Sequence, residues 1–193
     1  RDRENRWYWR SAPRRLEAEA IRDSLLMMSG ELDLEIERGV LEGITTLSPS
    51  PEALKRNREI YEASTRRSVY LPIVRTNVYQ MFSLFDFPNP AFPTGNRNAT
   101  TVPTQSLLMM NHEWVAEIAR KMAARLFEQS SDDCDRVKYA YRLAFARKAT
   151  AQEVDSALDF ISEFCQSEEA SLEDAWIAFC HLVLLSNEMI NVN

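Results

Sequence analysis

The chain has 193 residues, a formal net charge of −6, and 45% hydrophobic against 27% charged residues. That is enough for one substantial core or at most two small ones, in a composition that excludes a disordered or membrane-embedded chain. The longest apolar run, Ile177 to Leu185, is interrupted by His181 and falls far short of the roughly 20 residues that a membrane-spanning helix needs, so no membrane span is expected.

In chain order, RDRENRWYWR at Arg1–Arg10 interleaves arginines with Trp7, Tyr8 and Trp9. Such a mixture can stack on and grip single-stranded nucleic acid. The chain as a whole is acidic and has no further basic stripe, so no nucleic-acid partner is expected and the three aromatics are expected to dock on the core. The sequence starts at Arg1 without a secretory signal and is expected to be part of a longer protein. Ser11 with Pro13 predicts a helix start, Ala18, Ile21, Leu25 and Met28 form its buried stripe, and Gly30 ends it. Glu31 to Leu47 reads as a weakly patterned connection, and Ser50-Pro51-Glu52 opens a short, charged helix to about Glu62 with a solvated face.

Residues 65–112 break the helical pattern and read as an ordered loop region between N-terminal helices (1–64) and a helical bundle (113–193). Val69, Leu71 and Ile73 alternate with polar neighbours, which predicts at most a short edge strand or hairpin beside Pro72. Val78, Met81, Phe82 and Phe85 predict a short helix capped by Thr76 or Asn77. Pro88, Pro90 and Pro93 forbid regular structure as far as about Gly95, and Thr101 or a neighbour is expected to cap a helix that stops near Asn111. The remainder predicts helices marked by Val115–Leu126, Val137–Ala144, Val154–Cys165 and Leu172–Leu184. Thr150 with Glu153 forms a capping box, Ser171 with Asp174 opens the final long helix, and that helix is expected centrally in the core. The fold class is therefore mostly α: a C-terminal antiparallel bundle carrying a long proline-rich ordered loop region, in a single domain.

Conventional chemistry finds little support. His112-Glu113 begins like HExxH, but Ala116 stands where the second histidine must be. Cys180-His181 lacks the upstream cysteine of a haem-attachment motif, because Ile177 occupies that place, so no cofactor or metal is expected in this chain. Cys134, Cys165 and Cys180 are odd in number and are expected as free thiols. His181 is expected as a core histidine bonded to a carbonyl or carboxylate. No GxSxG and no glycine-rich phosphate loop is present.

The loop region is the remaining candidate. Arg66, Arg67, Arg75 and Arg97 supply planar donor forks, while Asp86, Asn98, Thr100, Thr101 and Gln105 supply compact donors and acceptors. Ligand-binding candidates are therefore Arg67, Arg75, Asp86, Arg97, Asn98, Thr101 and Gln105, for a glycan or a small anionic ligand. The competing reading is that these groups tie the loop to itself, with Arg67 and Asp86 as a structural ion pair.

These same stretches carry a resemblance. RRLEAEAIRDSLLMMSG at Arg14–Gly30, RRSVYLPIVR at Arg66–Arg75, LFDFPNP at Leu84–Pro90 and GNRNATTVPTQSLLMMN at Gly95–Asn111 occur in order, followed by RVKYAYRLAFARKATAQE at Arg136–Glu153 and FCHLVLLSNEMINV at Phe179–Val192. Together they resemble the planctomycete cytochrome-c-associated domain of unknown function, a secreted family, over the C-terminal larger part of that domain. Two departures stand out: Phe145-Ala146-Arg147-Lys148 replaces a Leu-Gly-Arg-Pro turn, and Glu52–Tyr61 adds a charged helix. The resemblance implies an extracytoplasmic protein whose partners are other domains of the same chain, among them a cytochrome-c-like domain that would carry any haem. It implies no catalytic residues. The expected function is thus a non-catalytic binding or scaffold domain. The alternative is part of a carbohydrate- or redox-related enzyme whose site lies in the 66–105 region and is completed by a missing N-terminal part.

Overall fold

A computed structural model describes residues 2, 5–9, 14–36, 44, 50–167 and 169–192. The described chain is mostly helical, in agreement with the period of its apolar residues. Strand β1 (Arg14–Arg15) pairs antiparallel with β2 (Asn191–Val192), so the sheet joins the two ends of the described chain. Ser11 and Pro13 lie outside the described residues. Helix α1 runs from Ala18 to Ser29, later than the Ser11 start predicts, because Arg14 and Arg15 are held extended by the ladder. Gly30 closes it in the left-handed region at φ 83°, where any side chain would be strained.

Helix α2 (Pro51–Ala63) begins as Ser50 predicts, with the Ser50 hydroxyl accepting the Ala53 N–H at 3.2 Å. Only Asn57 and Tyr61 of α2 are fully buried, which fits its charged, solvated face. The strand expected through Val69–Ile73 does not form. Ser68–Tyr70 is a 3₁₀ turn instead, because Asp23 accepts both the Ser68 N–H, at 2.7 Å, and the Ser68 hydroxyl, at 2.6 Å, and folds the chain against α1. Helix α3 (Gln80–Leu84) starts after Tyr79, so neither Thr76 nor Asn77 caps it. Helix α4 (Pro103–Asn111) starts after Val102, the neighbour of Thr101, with Pro103 in the first turn, where its missing N–H costs nothing. Val102 has no side-chain acceptor to offer, and Gln105 reaches back to its N–H at 3.4 Å.

The bundle comprises α5 (Glu113–Gln129), α6 (Asp133–Phe145), α7 (Ala151–Ser167), α8 (Leu172–Leu185) and the short α9 (Asn187–Ile190). Both capping boxes form: Thr150 and Glu153 exchange hydrogen bonds at the start of α7, as do Ser171 and Asp174 at the start of α8. Helix α8 packs along α5 and α7 and also touches α4, α6 and α9, which makes it the central element. Its Trp176, Cys180 and Leu184 are fully buried, against Ile118, Met122 and Leu126 of the α5 stripe. Removing each such large side chain from water contributes about 1.5–3 kcal/mol. Helix α1 packs on α5 through Ile21 and Leu25, and the loop region lies against α1.

Trp7, Tyr8 and Trp9 do not dock on the core; they are 83%, 88% and 64% exposed. A local turn holds them, with Asp2 accepting the Trp7 N–H at 2.8 Å and the Trp9 indole N–H at 3.1 Å. His181 does behave as a core histidine, donating from Nε2 to the Met109 carbonyl at 3.1 Å. All three cysteines are free, and burial pushes the Cys180 thiol well above its ordinary range.

Candidate functional site

The loop after α3 turns on Asp86, which adopts the left-handed region at φ 61°, a conformation that Asp tolerates better than most residues. Its carboxylate accepts the Thr100 N–H at 2.8 Å, the Thr100 hydroxyl at 2.8 Å and an Arg15 Nη at 3.0 Å. Arg15 also donates to the Thr100 carbonyl and to Gln105 Oε1, and its side chain is only 8% exposed. Gln105, 5% exposed, donates from Nε2 to the Leu84 carbonyl at 2.8 Å and to the Thr100 carbonyl at 3.1 Å. One polar circuit thus joins β1, the end of α3, the proline loop and the start of α4. Burial pulls the Asp86 carboxyl upward, but the Thr100 amide and hydroxyl and the Arg15 charge outweigh it and hold the group below its ordinary value.

Beside this circuit Arg97 grips α1. Its Nη1 lies 2.9 and 2.8 Å from the two Glu19 carboxylate oxygens and 3.1 Å from Glu17, and its guanidinium sits 5.6 Å from the Phe87 ring centre. The Glu19 hydrogen bonds keep the Arg97 charge firmly on. Between Arg14–Ala18 on one side and Phe85–Asp86 with Asn96–Ala99 on the other is a cleft of about 180 Å³.

The seven candidate residues therefore separate. Asp86, Arg97 and Asn98 line this one cleft, and Gln105 braces it from behind. Thr101 is exposed next to it, and neither Thr101 nor Asn98 has a side-chain hydrogen bond among the described residues. Arg67 and Arg75 lie elsewhere. Arg67 is not paired with Asp86: its Nε is 3.9 Å from Asp23, on α1, and its side chain is 48% exposed. Arg75 is exposed without an ion pair among the described residues.

Sequence reasoning missed Arg15, Glu19 and Arg22. Arg22 is completely buried and donates to the carbonyls of Arg66, Tyr61 and Ser64 and to the Ser68 hydroxyl, which fixes the chain leading into the loop region. A signal for it exists: Arg22 lies four residues after Ala18 and three before Leu25, on the buried stripe of α1. An arginine on that stripe must find acceptors inside the protein. Among the described residues no group of three or more His, Cys, Asp or Glu side chains is arranged to hold a metal ion.

The backbone of this site falls inside a family match. Residues 1–161 match PSD1, described as a protein of unknown function (DUF1553). The chain belongs to this family. PSD1 membership covers β1, α1, the loop region and the cleft, along with most of α7. No curated protein and no solved structure shows significant similarity to the chain. Among the described residues no helix is long and apolar enough to cross a membrane.

Proposed function

We propose that this domain is a non-catalytic binding and scaffold module of an extracytoplasmic, cytochrome-c-associated multidomain protein, and that the cleft beside Asp86 takes the end of a hydroxyl-rich glycan. The observation that carries the reading is a division of labour among the polar groups. Asp86, Arg15 and Gln105 are spent on one another and on Thr100, so they fix the wall. The Asn98 amide and the Thr101 hydroxyl are left facing outward with donors and acceptors to offer. Amides and hydroxyls set on a rigid wall recognise hydroxyl groups without paying to reorganise. Of the three arginines that line the cleft, Arg15 and Arg97 already have carboxylate partners, which favours a neutral ligand over an anionic one.

The cleft volume, about 180 Å³, is below the roughly 300–1,000 Å³ typical of pockets for drug-sized ligands. A cleft of this size suits one ring of a larger molecule. The secreted setting and the cytochrome-c-like neighbour rest on the sequence resemblance. Nuclear magnetic resonance titration with neutral trisaccharides (cellotriose, xylotriose and mannotriose) tests the binding. At least one should shift the side-chain amide signals of Asn96 and Asn98 saturably, and Asn98→Ala should weaken that ligand roughly tenfold, the loss of about one hydrogen-bonded contact. If none of the three perturbs residues 96–101, the glycan reading fails.

A further inference from the structure

A second pocket lies between α2 and residues 77–80, apart from the Asp86 cleft in its lining residues. It encloses about 460 Å³ and is lined by Lys55, Arg58, Tyr61, Asn77, Tyr79 and Gln80. Tyr61 and Tyr79 stack with ring centres 5.1 Å apart and planes 26° apart, giving the pocket an aromatic wall. Tyr79 is 4% exposed, and its hydroxyl has no hydrogen-bond partner among the described residues. A buried hydroxyl left in that state is costly unless the site has a use for it.

Behind the lining, Arg58 Nε is 3.6 Å from Glu62 Oε1, and the same oxygen is 3.4 Å from His112 Nε2. His112 Nδ1 accepts the Trp114 N–H at 3.3 Å, so the proton of the neutral ring is on Nε2, close to Glu62 Oε1 but without a hydrogen bond to that buried oxygen. Glu59 on α2, Glu113 at the start of α5, Tyr79 and the buried Arg22 complete the charged and titratable surroundings. Burial raises the Glu62 carboxyl, with Arg58 opposing and Glu113 and Glu59 adding to the rise. Burial lowers the His112 imidazole, and Arg58 lowers it further while Glu113 opposes. Arg58 is thus the one cation that presses both groups toward their deprotonated forms.

We infer that this pocket binds a hydroxylated ring carboxylate of the hexuronic acid class, and that binding is coupled to proton uptake by the Glu62–His112 pair. Arg58, with its side chain 46% exposed, meets Glu62 only through Nε at 3.6 Å, and its two Nη groups have no hydrogen bond among the described residues, so the outer edge of the fork can take a carboxylate. The buried tyrosines, stacked on one another, form a fixed back to the pocket rather than an open ring face, and the Asn77 and Gln80 amides reach hydroxyls at the rim. A ligand carboxylate that neutralises Arg58 removes its pull on Glu62 and His112, so both hold a proton more readily. By linkage, affinity rises as pH falls through the interval between the ordinary values of the two groups, 4.5 and 6.5.

Isothermal titration with sodium D-glucuronate and, in parallel, D-glucose, at pH 7.5 and pH 5.5, tests this directly. Glucuronate should bind saturably and more tightly at the lower pH, with glucose roughly tenfold weaker or worse, as expected when one arginine–carboxylate pair is lost. Arg58→Gln, at a half-exposed helix position, should keep the parent melting temperature and lose roughly tenfold in glucuronate affinity. Glu62→Gln should bind glucuronate with a flattened pH dependence. Unchanged affinity in Arg58→Gln, equal binding of glucose, or no saturable binding of glucuronate up to about 20 mM would each overturn the site, since a Kd well above that is too weak for a built site. Affinity that rises with pH would overturn the proton coupling. Asn98→Ala, in the other cleft, should leave this titration untouched.

Discussion

The bundle (113–192) and the loop region (65–111) are stabilised by different physics. In the bundle, apolar stripes at helical spacing meet across α5, α7 and α8, and polar groups sit at caps and rims. In the loop region, Leu71, Met81, Phe82, Phe85 and Met109 still reach the common core, but the irregular chain between them is fixed by directional bonds from a few side chains. Arg22 secures the entry, Asp23 bends the Ser68 turn, and Asp86 with Arg15 and Gln105 closes the proline loop. Non-directional burial tolerates small changes and spreads its effect. Directional bonds in a half-buried setting concentrate stability in single atoms and fix geometry more tightly.

Arg22→Ala should show the largest effect: the substitution leaves one buried and two partly buried carbonyls and the Ser68 hydroxyl without this donor, at a cost of about 3–5 kcal/mol by urea denaturation. Trp176→Ala in the bundle should cost a similar amount, about 3–5 kcal/mol, through a cavity instead. A loss below about 1 kcal/mol for Arg22→Ala would break the contrast. Next comes Asp86→Ala, which strands the nearly buried Arg15 guanidinium and should cost about 2–3 kcal/mol. Arg67→Ala removes only a half-exposed pair at 3.9 Å and should cost under about 0.5 kcal/mol. Measuring both by the same denaturation sharpens the point that Arg15, rather than Arg67, is the partner of Asp86.

Acid should probe the two regions separately. Asp86 in the loop is held below its ordinary 3.8, and Glu153 in the bundle is pushed down to about 2 by Arg147, the Thr150 amide and the Thr150 hydroxyl. A carboxyl with a depressed folded value contributes stability that is complete above its unfolded value and is lost as pH falls through the folded one. Melting temperature should therefore fall from about pH 5 downward. The fall should be shallower in Asp86→Asn and in Glu153→Gln, each relative to its own value at pH 7. One substitution should give a gain. Ala146 ends α6 at φ 54°, in the left-handed region that glycine adopts without strain, so Ala146→Gly should stabilise the bundle by about 1 kcal/mol.

Much of the bundle was legible in the sequence because its signals are local. Thr150 with Glu153 and Ser171 with Asp174 are capping patterns within four residues, and Trp176, Cys180 and Leu184 repeat at helical spacing. The loop was legible only as a place. Its prolines exclude regular structure, but they do not say that Asp86 pairs with Arg15, 71 residues away, rather than with Arg67. Alternation at Val69–Ile73 suggested a strand because period alone ignores Asp23, which takes the Ser68 donors and forces a turn. Arg22 is invisible to a search of α1 for apolar residues alone. The charge on the same stripe carried the more useful message, that something across the interface must accept five N–H groups.

The central claim is that the wall of the Asp86 cleft is fixed before any ligand arrives. Native-state hydrogen exchange of the Thr100 amide tests it most directly, since that N–H lies at the surface and is bonded only to Asp86. Protection of roughly a hundredfold or more is expected in the free protein, falling to near the unprotected rate in Asp86→Ala. Exchange of Thr100 at the rate of an open chain in the parent protein would contradict it.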